Sequence, residues 1–253
     1  PLKNRGNDGL ERFDKGRLAA ILAASLFLLH PINTESVTYI SSRSSVLSTL
    51  MILSSMIMFF SATSGKFSSI PYLLSIICFL LGLSVKETAI VIPMLILLFD
   101  LYFVSLNIGN FRARLKYHIP FWLIIAFSFY YYLNYITHSA LHMRPWLTHV
   151  LTELKVFVQY VRLLIMPIGL NIDPDIRASS AFDLSVIVSF VIILSLLMFA
   201  VFSRLRSRAL SFSIFWLFIN LAPFFAVRLE DYMAERWVYA SSLGISLFLG
   251  ELL

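Results

Sequence analysis

Residues 183–208 read DLSVIVSFVIILSLLMFAVFSRLRSR, and the fold follows from this stretch. The segment from Leu184 to Ser203 holds no charged side chain. At 1.5 Å per helical residue, twenty such residues cover a hydrocarbon core of about 30 Å. Arg204, Arg206 and Arg208 follow at once, which assigns that end to the cytoplasm by the positive-inside rule. The apolar residues run continuously instead of alternating, so the segment reads as a helix and not as a barrel strand.

The rest of the chain repeats the pattern. Of its 253 residues, 59% are apolar and 13% charged, with a mean hydropathy of +0.84, which excludes an ordinary soluble domain. Apolar runs fall at roughly 18–30, 44–62, 70–85, 88–106, 119–136, 147–166, 183–203, 209–227 and 237–253. The expected fold is an all-α polytopic bundle of about eight spans plus one amphipathic or re-entrant helix. Residues 1–17 form a cytoplasmic segment and 18–253 a single transmembrane domain. Twenty Lys and Arg against fourteen Asp and Glu give +6, which in a bundle reports orientation and not nucleic-acid binding. Cys78 lies in an apolar run and reads as a packing residue.

Residues 1–17, Arg112/Arg114/Lys116 and Arg204/Arg206/Arg208 form three basic clusters, all expected inside. The segments 30–43, 137–149, 171–180 and 228–236 are mixed or acidic and are expected outside. Counting crossings keeps the clusters on one side only if 147–166 does not cross. Thr148, Thr152, Lys155, Gln159 and Arg162 place a polar stripe on that helix, as an amphipathic element requires. The competing reading is a true span whose stripe faces the bundle interior.

Ionisable residues beside apolar runs are the candidate functional groups, because an unpaired charge removed from water costs several kcal/mol. In HPINTESVTYISSR, Pro31 breaks the first helix, and Glu35, Tyr39 and Arg43 recur every four residues, so a resumed helix would show them on one face. That face suits an anionic head group, or equally a structural Glu35 to Arg43 network. Lys86 and Glu87 are adjacent and diverge on a helix, so each needs its own partner. Lys86 and Arg162 are the phosphate-binding candidates, with snorkelling as the alternative for Lys86. Asp231, Glu235 and Tyr239 have helical spacing beside Arg228 and Arg236, a set that fits sugar hydroxyls and phosphate oxygens or an interfacial salt-bridge cluster. Glu230 lies in the same loop, and Asp100 is the one candidate expected on the inner side. Asp173 and Asp175 read as a carboxylate pair or as turn chemistry, of which the turn is the simpler. His138, His142 and His149 lack the companions of a zinc site, and no metal or cofactor is expected.

Four motifs, LFLLHPINTESVTYISSRSSVLSTL, LLGLSVKETAIVIPMLILLFDLYF, YVRLLIMPIGLNIDPDI and ERWVYASSLG, together resemble the membrane domain of the transmembrane and tetratricopeptide-repeat-containing O-mannosyltransferases, polytopic glycosyltransferases of the GT-C class. The resemblance implies transfer of a sugar from a polyprenyl or dolichyl phosphate to an acceptor hydroxyl, here a Ser or Thr of a protein, on the outer or lumenal face. The positions it carries over are His30, Glu35, Arg43, Lys86, Glu87, Arg162, Asp173, Glu235, Arg236 and Tyr239. It also implies a catalytic carboxylate in an outer loop upstream of Pro1 and repeats downstream of Leu253, so the chain is expected to be part of a longer protein. The partners expected are the bilayer, a lipid-linked sugar donor and an acceptor protein. The alternative is a noncatalytic integral subunit of a larger membrane complex, and a transporter is the least favoured because the long runs carry no charge.

Overall fold

The computed structural model describes residues 4–105, 108–135, 144–172, 174–181, 183–229 and 231–252. Every regular element among them is helical. The helices are α1 (Asn4–Leu29), α2 (Thr34–Thr38), α3 (Arg43–Thr63), α4 (Ser69–Val85), α5 (Ile92–Phe99), α6 (Ile108–Tyr135), α7 (Trp146–Ile165), α8 (Leu184–Ser203), α9 (Arg208–Ala226) and α10 (Tyr239–Leu252). Over their described residues the apolar runs fall on these helices, one to each, except that the run 88–106 is divided among a 3-10 turn (Glu87–Val91), α5 and a π turn (Asp100–Val104).

Four segments are long and apolar enough to cross a membrane: Ile40–Thr63, Glu87–Val104, Leu184–Ser203 and Arg208–Ala226. A fifth is counted if Gly16–Leu29 and Pro31–Thr38, bent by 51° at their junction, form one broken span. The remaining runs lie on α4, a shorter apolar helix; α6, whose first turns carry Arg112, Arg114 and Lys116; α7; and α10. The chain is thus a helical protein with several membrane-compatible spans.

Local chemistry sets the breaks. Proline disfavours the helical region for the residue before it, and His30 is extended (φ −66°, ψ 123°). Its Nδ1 accepts from the Ile32 N–H, so the proton sits on Nε2, which donates to the Leu164 carbonyl at 2.9 Å. Asp183 caps α8 by accepting from the Val186 N–H at 2.9 Å, and the bond from Ser185 Oγ, followed by this N-cap bond, holds its carboxyl below the usual range. Ser207 caps α9 and also donates to Glu251 on α10.

α3 packs along α4, and α10 lies between α1 and α9, while α7 and α8 lean on α9. One core joins α3, α4, α5, α6 and α9 around Ile52, Phe79, Leu95, Phe121 and Trp216. A second joins α7 and α9 around Phe157, Tyr160, Leu163, Leu221 and Val238. Serines let neighbouring helices approach closely. Ser55 and Ser75 donate to each other's carbonyl oxygens at 2.9 and 2.7 Å, locking α3 to α4 with polar groups satisfied inside an apolar pair.

The clusters around Arg114 and Arg204 gather at one end of the bundle. Arg114 reaches Asp100 and Thr63, Arg204 stacks on the Tyr102 ring at 4.6 Å, and the Gly16 to Ala20 stretch of α1 borders Glu251 and Phe103. Lys86, Glu35 and Arg236 lie at the opposite end. Both ends of α7 are tied to that second end: Arg228, just past α9, donates to the Arg144 carbonyl, and Leu164 meets His30. α7 therefore lies across one end of the bundle. Part of its polar stripe is covered by the irregular segment 174–181, where Ser179 N–H donates to Thr152 Oγ1 and Lys155 to the Arg177 carbonyl.

Candidate functional site

The site is built where α3, α4, α5, α9 and α10 converge at the Lys86 end. α4 stops at Val85, and Lys86 takes an extended conformation (φ −158°, ψ 135°) before a 3-10 turn over Glu87–Val91. That break turns the lysine inward, and its Nζ donates to Ser45 Oγ on α3 at 2.6 Å. Among the described residues no carboxylate comes within ion-pair distance of it. Burial, the largest influence, holds its ammonium pKa below the ordinary lysine value; Glu87 opposes this and Arg236 adds to it.

Arg236 approaches from the turn before α10. Its backbone N–H and Nη1 donate to the two oxygens of Glu35, each at 2.9 Å, and Nη2 lies 3.5 Å from the exposed Asp231. Lys86, Arg236, Ser45, Thr49, Thr88 and Asn220 line a polar cleft of about 10 Å³, room for a single water, with Trp237 at its wall. Two cations share this cleft with hydroxyl and amide groups, and only Arg236 is already balanced. The arrangement turns an ammonium, a guanidinium, hydroxyls and an amide toward one small space, which as it stands admits one water.

The other candidates divide into those that brace this cleft and those that stand away from it. Glu235 is buried and accepts from the Asn171 N–H at 2.6 Å; burial raises its pKa, the Asn171 bond lowers it and nearby Glu35 raises it further. Tyr239 packs edge-on against Phe27. His30 ties α1 to α7, as described above. Arg43 and Glu87 are exposed, and Arg162 is exposed with Nη1 on Gln159 at 3.3 Å. Asp173, Glu230, His138 and His142 lie outside the described residues.

Two spacing arguments fail. Glu35, Tyr39 and Arg43 do not share a helix face, because α2 ends at Thr38 and Tyr39 is extended (φ −81°, ψ 122°); Glu35 turns into the core while Arg43 stays outside. Asp231, Glu235 and Tyr239 are not on one helix either, since 231–234 are irregular and a 3-10 turn covers Glu235–Val238. The cation brought to Lys86 is Arg236, and Arg162 does not line the cleft.

Two further polar clusters went unread in the sequence. At the opposite end Asp100 accepts from Ser105 Oγ, Arg114 Nε and His118 Nε2 at 2.8–2.9 Å, while Arg114 also bonds Thr63 Oγ1 and its carbonyl. The signal available was Arg114 and His118, four apart on one face of α6. At the Lys86 end, His149 Nδ1 accepts from Arg144 Nε and Nη2 at 3.2 and 3.0 Å, and Glu153 lies 3.6 Å from both. Burial pushes the Glu153 carboxyl up to about 8 against the pull of Arg144, and burial with Arg144 pushes His149 down. Near neutral pH this cluster holds one charge, that of Arg144. Among the described residues no group of three or more His, Cys, Asp or Glu could hold a metal.

No protein-family model matches the chain, and no curated protein or solved structure matches it either, so the site is read from its own chemistry.

Proposed function

We propose that the chain is the lipid-binding membrane domain of a glycosyltransferase resembling the GT-C O-mannosyltransferases, with about eight spans and the Lys86 end facing the outer or lumenal side. The supporting observation is the cleft in which the ammonium of Lys86 and the guanidinium of Arg236 face one space. In this reading the cleft, which admits one water as it stands, widens to take the phosphate of a polyprenyl-linked or dolichyl-linked sugar. As the acceptor hydroxyl attacks the anomeric carbon, giving its proton to a carboxylate base of the kind the resemblance implies, the bond from that carbon to the phosphate oxygen breaks. Lys86 and Arg236 then stabilise the charge left on the departing phosphate, the kind of electrostatic assistance that acts where charge develops. Lys86 carries most of it, because Glu35 already neutralises Arg236.

The second reading is a noncatalytic membrane subunit. It is favoured by His30, Glu35, Glu235 and Tyr239, whose polar or ring contacts all brace the fold. Sugar transfer from a polyprenyl phosphate donor, measured in membranes carrying wild type or Lys86→Ala, separates the two. The transferase reading expects transfer to fall by about tenfold or more with the variant still folded in the membrane. Unchanged transfer, with loss of a co-purifying complex, supports the subunit.

A further inference from the structure

At the end of the bundle opposite Lys86, a hollow of about 280 Å³ lies among α1, α9, α10 and the π turn after α5, lined by Ala19, Ala20, Phe103, Phe212 and Leu247. It shares Phe99, Phe212 and Leu247 with an apolar crevice of about 250 Å³ that reaches Leu243 of α10 and Ile57 of α3, so the two form one groove. The rim is open, with Phe103 40% and Ile57 61% exposed. Along α10 the groove runs from Leu243 to Glu251, about 12 Å of helix, which is most of the roughly 15 Å depth of one leaflet's hydrocarbon. It ends at a charged mouth. Glu251 lines that mouth, and its Oε1 accepts from Ser207 Oγ at 2.9 Å. Among the described residues no cation comes within ion-pair distance of this carboxylate. Two arginines are nonetheless held beside the groove. Arg204 stacks on the Tyr102 ring at 4.6 Å and Arg208 Nη1 donates to the Tyr102 carbonyl at 3.4 Å, while the residues next in sequence to Tyr102 and Arg208, Phe103 and Ala209, line the hollow. These contacts use one of the five N–H donors of Arg208 and, among the described residues, none of those of Arg204.

We infer that this groove seats one acyl chain of a phosphatidylethanolamine from the leaflet at that end, with the lipid's phosphate on Arg204 and Arg208 and its ammonium on Glu251. The inference is independent of the Lys86 cleft and holds whether or not the chain transfers sugars. Apolar space left empty forfeits the dispersion contacts of its walls, so a bilayer chain enters it. The bilayer is as apolar as the groove, however, and entry brings no hydrophobic gain that could choose one lipid over another. The choice therefore falls to the mouth. An unpaired carboxylate beside two anchored guanidinium groups calls for a head group that carries an anion and a cation together. Phosphatidylglycerol brings the phosphate but nothing for Glu251. Phosphatidylcholine brings both charges, but its quaternary ammonium has no N–H to donate. The primary ammonium of phosphatidylethanolamine has three, one of which makes a charge-assisted bond to Glu251 while the guanidinium forks take the phosphate oxygens.

Lipid retention tests this. The full chain in mild detergent is given equal amounts of phosphatidylethanolamine, phosphatidylglycerol and phosphatidylcholine with identical acyl chains, and the lipids it keeps are counted by native mass spectrometry. The expected result is one retained phosphatidylethanolamine, favoured by about tenfold over each of the other two. Glu251→Gln keeps the side chain's size and its acceptor for Ser207, and is expected to bring phosphatidylethanolamine down to the level of phosphatidylcholine. The double variant Arg204→Gln/Arg208→Gln is expected to lower retention of all three. Ala20 lines the hollow and is exposed, so Ala20→Phe is expected to fold, fill the groove and expel the lipid. Ile57→Trp blocks the other half of the groove from its exposed rim and is read in the same way. Equal retention of the three lipids, a preference for phosphatidylglycerol, or a phosphatidylethanolamine preference that survives Glu251→Gln overturns the head-group assignment. Retention unchanged by both Ala20→Phe and Ile57→Trp overturns the groove as the seat. A second copy of the chain retained in place of lipid, and lost with Ala20→Phe, overturns the proposal by making the groove a contact between copies.

Discussion

Glu35 and Arg236 stand 201 positions apart in the chain and meet twice, with both the backbone N–H and the guanidinium of Arg236 donating to the Glu35 carboxylate at 2.9 Å. The bidentate contact joins the break after α1 to the turn before α10. It also fixes the orientation of the guanidinium that faces Lys86. The Glu35 side chain is almost wholly buried, so removing either partner leaves a charge or a backbone donor unmatched.

Glu35→Ala is expected to cost about 3 kcal/mol, the low end of the range for buried pairs because Arg236 remains 26% exposed. Thermal unfolding in detergent checks it. The double variant Glu35→Ala/Arg236→Ala should be less damaging than the sum of the single ones, and strict additivity would show that the two residues act independently.

Gly244 and Gly250 mark the closest helix approaches. A Cβ at Gly244 would lie 2.7 Å from the Ser213 carbonyl oxygen, and one at Gly250 2.7 Å from that of Ala19. Neither obstacle is a movable side chain, so each Gly→Ala change should destabilise by about 1–3 kcal/mol. Gly65→Ala, with open space around it, is the control expected to leave the melting temperature unchanged.

Much of the architecture was legible because burial in a membrane leaves long uncharged runs. The break at Pro31 was legible for the same local reason, since proline acts on its immediate neighbour. The partners of Glu35, Glu235 and His30 were not, because they come from residues brought near by packing alone. Spacing of four positions misled at Tyr39 and at Asp231 because it carries information only while the helix continues. Arg236 stood in a quoted motif, but nothing local showed that it, and not Arg162, would face Lys86.

At the other end, Asp100 anchors α3, α5 and α6 through Arg114, His118 and Thr63. Arg114→Lys keeps the charge but cannot bond both Asp100 and the two Thr63 oxygens, so it should destabilise nearly as much as Arg114→Ala. A lysine variant as stable as wild type would show that charge alone serves there.

Glu153 gives stability a pH dependence. Its carboxyl titrates at about 8 when folded and near 4.5 when unfolded, so the folded state holds the proton more tightly. The stabilisation is present below pH 4.5 and is lost as pH rises through about 8. Between these values wild type should lose stability on the order of a few kcal/mol, and Glu153→Gln should flatten that slope. Melting curves at pH 5, 6.5 and 8 test this; equal slopes in the two proteins would place the titrating group elsewhere.

In the function proposed above, Lys86 meets the phosphate of a polyprenyl lipid. The most direct measurement is the rate at which an amine-reactive reagent acylates Lys86 in nanodiscs, followed by mass spectrometry with and without isoprenyl monophosphate. The phosphate is expected to slow modification of Lys86 by about tenfold while leaving exposed Lys66 unaffected, and the uncharged isoprenol to protect neither. Equal rates at Lys86 with the phosphate and with the alcohol would contradict it.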